Sequence, residues 1–271
     1  MLTSEQLRSI MPRLPAAKSP EYVPALFAAM SEFAIDPPAR AAAFLAQLAH
    51  ESGQLRFMEE IWGPTAAQQR YEPASTLAAA LGNTDSGDGL RFKGRGPIQI
   101  TGRANYRRFG NLLGIDLVAT PARAASPDVA FRIAALFWSK KGLNELADQA
   151  TADAFREITR RINGGFNGLA DREQLYATAR QALGVAAPPV TRGGPMPPSA
   201  PEPAFERGYE AVRAATPVRG ARKAASSKAA PKKRARATAQ KQRPTRTAAT
   251  AKKKKKKRAT RSTGRKKASK R

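Results

Sequence analysis

The sequence has no cysteine, one histidine and no long apolar run, and each of these absences excludes a class of protein. Without cysteine the chain has neither a disulfide framework nor a thiolate metal site. With His50 alone, a zinc site would need carboxylates for nearly all its ligands, so we expect no metal or other cofactor. No apolar run approaches the roughly 20 residues of a transmembrane helix, so we expect no membrane-spanning segment.

Basic residues are distributed unevenly along the chain. Residues 1–190 carry 21 Lys and Arg against 18 Asp and Glu, a net charge of +3, whereas residues 191–271 carry 27 against 3, a net charge of +24. The first part has an ordinary globular composition and the second is a polycation. The N-terminal residues lack the basic and apolar regions of a secretory signal, so we expect a protein made in the cytoplasm.

Composition predicts three segments. Residues 1–186 form a folded domain, residues 187–204 a Pro-rich linker, and residues 205–271 a disordered tail rich in Lys, Arg and Ala. Such a tail attracts polyanions without sequence specificity. Its candidate partners are anionic envelope polymers, among them lipopolysaccharide, and nucleic acid; a merely solubilising role is the third alternative.

Apolar residues recur at helical spacing through most of the first 186 residues, and no alternating strand pattern is present. We therefore predict a mainly α-helical fold. The predicted helices lie at about 3–15, 22–33, 39–51, 106–113, 127–141, 151–163 and 171–183. Leu112 is expected on the inward face of the fourth helix and Ser126 at the N-cap of the fifth. Residues 61–98 read as a long irregular region with one short helical piece at 64–71.

Glu51 is the first candidate for chemistry. Residues 40–60 read RAAAFLAQLAHESGQLRFMEE, and Glu51 continues the apolar stripe of its predicted helix, three residues after Leu48. A carboxyl on such a face must be paired, protonated or functional, although a Glu near a helix end is often simply solvated. Glu59 and Glu60 follow the break at Ser52 and Gly53, so two carboxyls on separate segments could face each other across a cleft.

A second candidate is the segment 92–106, which reads FKGRGPIQITGRANY. Its glycines allow a tight backbone path close to a ligand. Gln99, Thr101 and Asn105 are then polar groups suited to hydrogen bonds with a sugar or a water. A turn followed by a helix N-terminus would explain the same residues.

Four motifs in this order, AHES at 49–52, GRGPIQITG at 94–102, INGG at 162–165 and DREQLY at 171–176, make the sequence similar to glycoside hydrolase family 19. That family comprises chitinases and lysozyme-like endolysins. The resemblance covers roughly residues 30–184, and the compact, cysteine-free chain is more similar to the endolysins. It implies a compact lysozyme-like helical domain with a cleft, and an inverting glycosidase whose carboxyls leave room for a water.

The resemblance also implies roles for the catalytic residues. Glu51 matches the general acid that protonates the glycosidic oxygen. Glu60 matches the general base that activates water from the opposite face, with Glu59 beside it as the competing candidate. Thr101 matches a position that helps to hold this water. Desolvated Glu51 suits the acid and the wetter Glu60 suits the base.

Five further residues match substrate-binding or supporting positions. The resemblance implies that Gln99 and Asn105 contact the sugar, and that Asn163 and Arg172 support the base and the sugar. His50 either orients the helix end beside the substrate or, less in keeping with its position, transfers protons. Together these residues predict a glycan cleft that requires no metal.

The motifs do not separate the two glycans that contain β-1,4-linked N-acetylated amino sugars. We expect a monomeric hydrolase of peptidoglycan that acts at the cell wall after holin-type release or lysis, with chitin as the alternative substrate. A protein that binds nucleic acid or the envelope and carries an inactive carbohydrate-binding domain is the alternative of another class. Trp62 and Tyr71 either stack on sugar rings or belong to the core.

Overall fold

The computed structural model describes residues 1–186, and the predicted linker at 187–204 and tail at 205–271 lie outside them. Residues 1–186 are mainly helical, as predicted, and contain only isolated β-bridges. The α-helices are Ser4–Ile10 (α1), Ser19–Glu32 (α2), Pro38–Ser52 (α3), Ala66–Gln69 (α4), Thr76–Leu81 (α5), Asp88–Arg91 (α6), Arg103–Leu113 (α7), Pro127–Lys140 (α8), Leu143–Asp148 (α9), Ala152–Asn163 (α10) and Leu169–Ala182 (α11).

Helix α3 lies at the centre of the core. It begins at Pro38, whose fixed φ suits the first turn, and ends at Gly53, which adopts φ 58° in the left-handed region. Most of its surface is buried, because α11 packs along it while α1 and α9 contact it from other sides. Helices α2 and α8 form the other large helix pair. The core thus fixes both ends of α3, including the turn that carries Glu51.

Local sequence signals set several helix ends. Thr3 and Gln6 form a reciprocal capping box at α1, and Thr151 accepts a hydrogen bond from the Ala154 amide at α10. One prediction was wrong: helix α1 ends at Ile10 rather than near residue 15. Ser126 is the N-cap residue of α8 and Pro127 follows in the first turn, as predicted, although the Ser126 hydroxyl donates to the Arg123 carbonyl and makes no capping hydrogen bond.

Residues 61–98 contain more regular structure than the sequence predicted. Besides the expected short helix α4, the region holds α5 and α6, and α9 was also missed. These helices have four to six residues, too short for periodicity to reveal. Tyr71, Leu77 and Leu81 form a small apolar cluster here, separate from the main core, with Trp62 packed against it. Tyr71 is therefore a core residue.

Two further observations concern faces of the helices. Leu112 on α7 was predicted to point inward but is 45% exposed, whereas Tyr106 and Phe109 on the same helix are buried. The apolar stripe of α7 is therefore narrower than expected. None of the helices within residues 1–186 is long and apolar enough to cross a membrane.

Candidate active site

Glu51 lies in the last turn of α3 with its side chain only 6% exposed. Its Oε1 accepts a hydrogen bond from Nη2 of Arg172 at 2.6 Å, and this guanidinium comes from α11. The partners are 121 residues apart in sequence, so the packing of α11 on α3 creates the ion pair. The buried position of Glu51, predicted from its helical spacing, is confirmed.

A buried polar network surrounds this ion pair. Arg172 also donates through Nη1 to Oε1 of Gln47, one turn before Glu51 on α3. Gln47 in turn donates to the Thr159 hydroxyl oxygen at 2.8 Å, and Thr159 donates to the Phe155 carbonyl at 3.0 Å. Burial of such groups is tolerated because each has a partner. The network joins α3, α10 and α11 around one carboxyl.

The Arg172 geometry differs from the expectation that this residue supports the base and the sugar. The residue is 1% exposed, and its guanidinium contacts Glu51, Gln47 and, from Nε at 3.2 Å, the Asn167 carbonyl. Arg172 therefore acts on the predicted acid, because α11 delivers it to the end of α3.

The Glu51 side chain faces a narrow pocket with mostly apolar walls. Three elements, α8, α10 and the segment before α7, supply these walls together with α3 itself. The lining residues are Phe44, Gln47, Leu48, Glu51, Ile98, Ala134, Phe137, Trp138 and Ile162. Such walls exclude water from the carboxyl, which strengthens every charge interaction inside.

Glu60 lies in the irregular segment after α3 and is half-buried. Its Oε1 accepts from the Gln68 side-chain amide at 2.9 Å, and its Oε2 accepts from the Gly94 backbone amide at 3.0 Å. The Glu60 amide also donates to the Gly94 carbonyl at 2.8 Å. Neutral donors thus hold this carboxyl at a fixed place.

Gly94 brings Glu60 close to Gln99. A Cβ at Gly94 would lie 2.7 Å from Oε1 of Gln99, so the Gln99 side chain would have to shift, and 3.4 Å from Oε2 of Glu60, an ordinary contact distance. Both side chains therefore approach Gly94 on the side where a Cβ would lie.

Glu59 points into a different environment. It is 46% exposed and pairs with Nε of Arg95 at 2.9 Å and Nζ of Lys93 at 3.3 Å. Arg95 donates in addition to the Tyr106 hydroxyl, which donates to the Lys93 carbonyl. Burial raises the pKa of Tyr106 although Arg95 opposes the effect, so the phenol stays neutral. Glu59 belongs to a cluster that anchors the segment before α7.

The remaining polar residues of the motif segment hydrogen-bond to one another. Gln99 has φ 55° and donates through Nε2 to the Gly96 carbonyl at 2.7 Å. The Thr101 hydroxyl donates to the Gln99 carbonyl at 3.0 Å, and Asn105 donates to the Thr101 carbonyl at 2.8 Å. Thr101 and Asn105 are buried. The Thr101 hydroxyl proton is committed, while the Thr101 oxygen can still accept.

His50 and Asn163 lie at helix ends near the Glu51 network. Nδ1 of His50 lies 2.5 Å from Oδ2 of Asp171, which links the end of α3 to the start of α11. A Cβ at Gly168 would lie 2.4 Å from the His50 ring, so the turn before α11 packs directly on it. Asn163 ends α10, and its buried Nδ2 has no hydrogen-bond partner within residues 1–186.

Sequence reasoning missed three residues of the site: Gln47, Thr159 and Gln68. The available signal was a polar residue on a buried stripe, since Gln47 lies four residues before Glu51 and Thr159 lies on the apolar face of α10. Gln68 could be read as the partner in a capping box with Thr65, which it is, but not as a donor to Glu60. Across the described chain, no group of three or more His, Asp or Glu could hold a metal ion.

The site thus offers two carboxyls with different chemistry. Glu51 is buried, forms an ion pair with Arg172 and faces apolar walls, whereas Glu60 is half-buried and held by neutral donors. Groups in such contrasting environments can hold and release protons at the same pH. The two come from a helix and a loop, respectively.

Comparison with known proteins gives a consistent result. The family model of glycoside hydrolase family 19, described as chitinase class I, matches residues 25–171. A glycosyl hydrolase family 19 domain-containing protein of Haemophilus influenzae is 38% identical over 159 residues, which covers 50% of this chain and 76% of that protein. An Arabidopsis thaliana endochitinase is 40% identical over 126 residues, which covers 46% of this chain and 39% of the endochitinase. The match thus spans less than half the length of the plant relative.

Solved structures share the fold. Chitinase C from Streptomyces griseus superposes with a TM-score of 0.54 at 24% identity, covering 69% of this chain and 78% of its own. A bacterial family 19 chitinase superposes with a TM-score of 0.51 at 24% identity, covering 69% of this chain and 97% of its own. These two similarities concern the fold alone.

Proposed function

The chain belongs to glycoside hydrolase family 19 and is a glycosidase, and we propose that it cleaves β-1,4 bonds beside N-acetylated amino sugars with inversion. The observation that carries this proposal is the contrast between Glu51, buried against apolar walls, and Glu60, held by neutral donors. One carboxyl is suited to deliver a proton and the other to accept one.

In the proposed reaction, Glu51 donates its proton to the glycosidic oxygen as the bond from that oxygen to C1 breaks. Water attacks C1 from the opposite face, and Glu60 takes the proton that the water loses. Glu51 is left as a carboxylate, which the Arg172 guanidinium stabilises. The products are a free hydroxyl and a reducing end of inverted configuration.

The motif residues support the water and the sugar in this proposal. The Thr101 hydroxyl donates to the Gln99 carbonyl, so its oxygen is available to accept from the attacking water. Gln99 and Glu60 approach the same side of Gly94, so the Gln99 side chain can contact a sugar bound beside the base. We assign Asn105, His50 and Asn163 to the support of the bound glycan, as the motifs predict.

Peptidoglycan is the substrate that we favour, because charge distinguishes it from chitin. An open groove of about 520 Å³ lies on α7 and the end of α8, and its lining includes three cations and no acid. The lining residues are Ala104, Arg107, Arg108, Asn111, Leu112 and Lys140. The peptide stems of peptidoglycan carry carboxylates that such a groove attracts, whereas chitin oligomers are neutral. Chitin is the second candidate, favoured by the names of the plant relatives.

The basic segment 191–271, with its net charge of +24, supports the same direction. We propose that it holds the enzyme on anionic envelope polymers by non-specific attraction. Replacing Lys252–Lys257 by Gln in the full chain should slow lysis of whole cells and leave cleavage of soluble glycan unchanged. Equal lysis combined with lost retention on DNA would favour nucleic acid as the partner.

Digestion of purified sacculi by the full chain tests the proposed activity. Native protein, Glu51→Gln and the exposed control Glu145→Gln are compared on sacculi and on chitin oligomers, with mass spectrometry of the fragments. New reducing ends from native protein and Glu145→Gln, but not from Glu51→Gln, are expected on sacculi. Cleavage of chitin alone would assign the second candidate, and no cleavage of either would refute a glycosidase role for this site.

The groove is tested separately by Arg107→Gln with Lys140→Gln. This pair should lower the rate on sacculi and leave the rate on chitin oligomers unchanged. Arg8→Gln with Arg13→Gln removes the same charge from exposed positions elsewhere and is the matched control. Equal losses in both pairs would indicate a general charge effect instead of a substrate groove.

A further inference from the structure

We propose that Gln47 is a positioning residue for the general acid: it occupies one arm of the Arg172 guanidinium and so limits how firmly Arg172 holds Glu51 in its charged form. This inference rests on the proposed role of Glu51. It assigns a function to a buried amide that the motifs leave without one.

The two terminal nitrogens of Arg172 donate to two acceptors on the same helix. Nη2 donates to Oε1 of Glu51 at 2.6 Å, and Nη1 donates to Oε1 of Gln47. Gln47 is 3% exposed, so water does not compete for this contact. Because Gln47 precedes Glu51 by one helical turn, both oxygens lie on the face of α3 that α11 covers.

Thr159 determines which end of the Gln47 amide meets Arg172. The Thr159 hydroxyl donates its single proton to the Phe155 carbonyl at 3.0 Å. Its oxygen can then only accept, and it accepts from Nε2 of Gln47 at 2.8 Å. With the amide nitrogen fixed on Thr159, the Gln47 oxygen faces the guanidinium. A flipped amide would place two donors, from Gln47 and Arg172, against each other.

The neutrality of Gln47 is what makes the arrangement useful. A general acid must carry its proton before the reaction and be stabilised as a carboxylate afterwards. A guanidinium free to grip Glu51 with both terminal nitrogens would stabilise the carboxylate more strongly, since two-point pairing is the stronger geometry. A second carboxylate in place of Gln47 would draw Arg172 away and add a like charge. With neutral Gln47, the Glu51 carboxylate is stabilised less than by two-point pairing with Arg172 and more than it would be with a carboxylate at position 47.

Other charged groups on the packed elements leave this division in place. His50 and Asp171, on the adjoining ends of α3 and α11, contact each other. On α9, Asp148 pairs with Arg40 at the opposite end of α3. On α10, Glu157 pairs with Arg160 and Arg161. On α1, the charged residues Glu5 and Arg8 are both exposed.

Two substitutions of similar size should move the protonation of Glu51 in opposite directions. In Gln47→Met the acceptor is lost, Arg172 pairs fully with Glu51, and the midpoint of its titration falls. In Gln47→Glu the added charge favours the protonated form, and the midpoint rises. We expect about one pH unit for Gln47→Glu, the usual scale for a change of one close charged partner, and a smaller shift for Gln47→Met, which changes only a neutral acceptor. The readout is the carboxyl ¹³C NMR titration of Glu51 in the full chain.

The alkaline limb of the kcat profile should follow the same shifts, with KM little changed. Thr159→Val removes the hydroxyl that orients Gln47 and should shift the limb in the direction of Gln47→Met. Thr159→Ser keeps the hydroxyl and should restore the native profile, which a purely packing role for Thr159 does not predict. If Gln47→Glu does not fold, Gln47→Met and the Thr159 pair still decide.

The outcomes separate this inference from the proposed function. A native enzyme that cleaves neither glycan, with the midpoints still shifting in opposite directions, would refute the activity and keep the network. An active enzyme whose midpoint and alkaline limb stay in place in Gln47→Met, or move the same way in both Gln47 variants, would overturn the positioning role.

Discussion

The two carboxyls of the site are held by different kinds of structure. Glu51 sits at the end of a long central helix, and its partner Arg172 comes from α11, which packs along that helix. Thr159 on α10 contacts Gln47, which in turn contacts Arg172. Glu60 sits in a loop, and its partners are a glycine amide and the side chain of Gln68. One carboxyl depends on the main core and the other on local loop contacts.

In the proposed reaction, this difference lets one fold supply an acid and a base at the same pH. Burial and the charged partner Arg172 let small changes in the network alter the protonation of Glu51. The Glu60 carboxylate is instead held by two neutral donors, the Gln68 side-chain amide and the Gly94 backbone amide. The environment of each carboxyl can be altered by substitutions that leave the environment of the other unchanged.

The largest effect is expected at the base. Glu60→Gln should lower kcat by about 10²–10⁴-fold, the usual contribution of a general base. Glu59→Gln is the matched control: its carboxyl is 46% exposed and paired with Arg95 and Lys93, so kcat should change only slightly. Steady-state kinetics on the same glycan measure both variants. A loss in Glu59→Gln as large as that in Glu60→Gln would reverse the assignment.

Loss of the buried cation should have the next largest effect. Arg172→Met leaves the Glu51 carboxylate buried without its partner, which typically costs about 3–5 kcal/mol of stability. Arg156→Met removes an Arg from the exposed Arg156–Glu173 pair between α10 and α11, and about 0–1 kcal/mol is expected there. Chemical denaturation at neutral pH gives both values.

A double variant tests the cause of that loss. Combining Arg172→Met with Glu51→Gln removes the uncompensated charge, so part of the lost stability should return. No recovery would mean that Arg172 stabilises the fold through packing alone.

Residues near one another in sequence made much of the fold predictable. Periodicity placed the long helices and the buried position of Glu51, and both are confirmed. The caps formed by Thr3 and Thr151 are local in the same sense, because each joins atoms three residues apart. The family motifs brought in Glu60, Thr101 and the other site residues, whose roles stay predictions.

Contacts between residues distant in the chain could not be predicted from the sequence. The partner of Glu51 depends on how α11 packs, and the spacing of Arg172 in the chain carries no sign of it. Glu59 and Glu60 have different partners, Arg95 and Gln68, and these pairings likewise depend on the three-dimensional packing. Pattern reasoning thus identified candidates, while packing decided which groups they meet.

A smaller effect is expected when the loop carboxyl loses its amide donor. Gln68→Met removes the donor to Glu60 and leaves buried polar groups of the loop without a partner, at a cost of about 1–3 kcal/mol. We expect a lower kcat with an intact helical core, measured by kinetics and by circular dichroism. Gln69→Met, at the exposed neighbouring position, should change neither. Unchanged kcat in Gln68→Met would show that Gly94 alone positions Glu60.

The smallest effect is expected at low pH, in the loop that contains Asp88. Asp88 is buried and accepts from Arg103 and from the amides of Thr84 and Asp85. Burial acts to raise the pKa of Asp88, but the Arg103 pairing and the amide bonds outweigh it and lower the pKa from the ordinary value of 3.8. A lowered folded-state pKa means that the stabilisation is present above the unfolded value and is lost as the pH falls through the folded one.

Protection of the Thr84 and Asp85 amides against hydrogen exchange should therefore decline below about pH 3.8. Because one proton is taken up, the decline is at most about tenfold per pH unit. Amides in the middle of α3 are the internal reference for the helical core. In Asp88→Asn the decline should disappear, since no carboxyl remains to be protonated. If the α3 amides lose protection at the same pH as the loop amides, the loop and the core open together, and the two supports of the site are one cooperative unit.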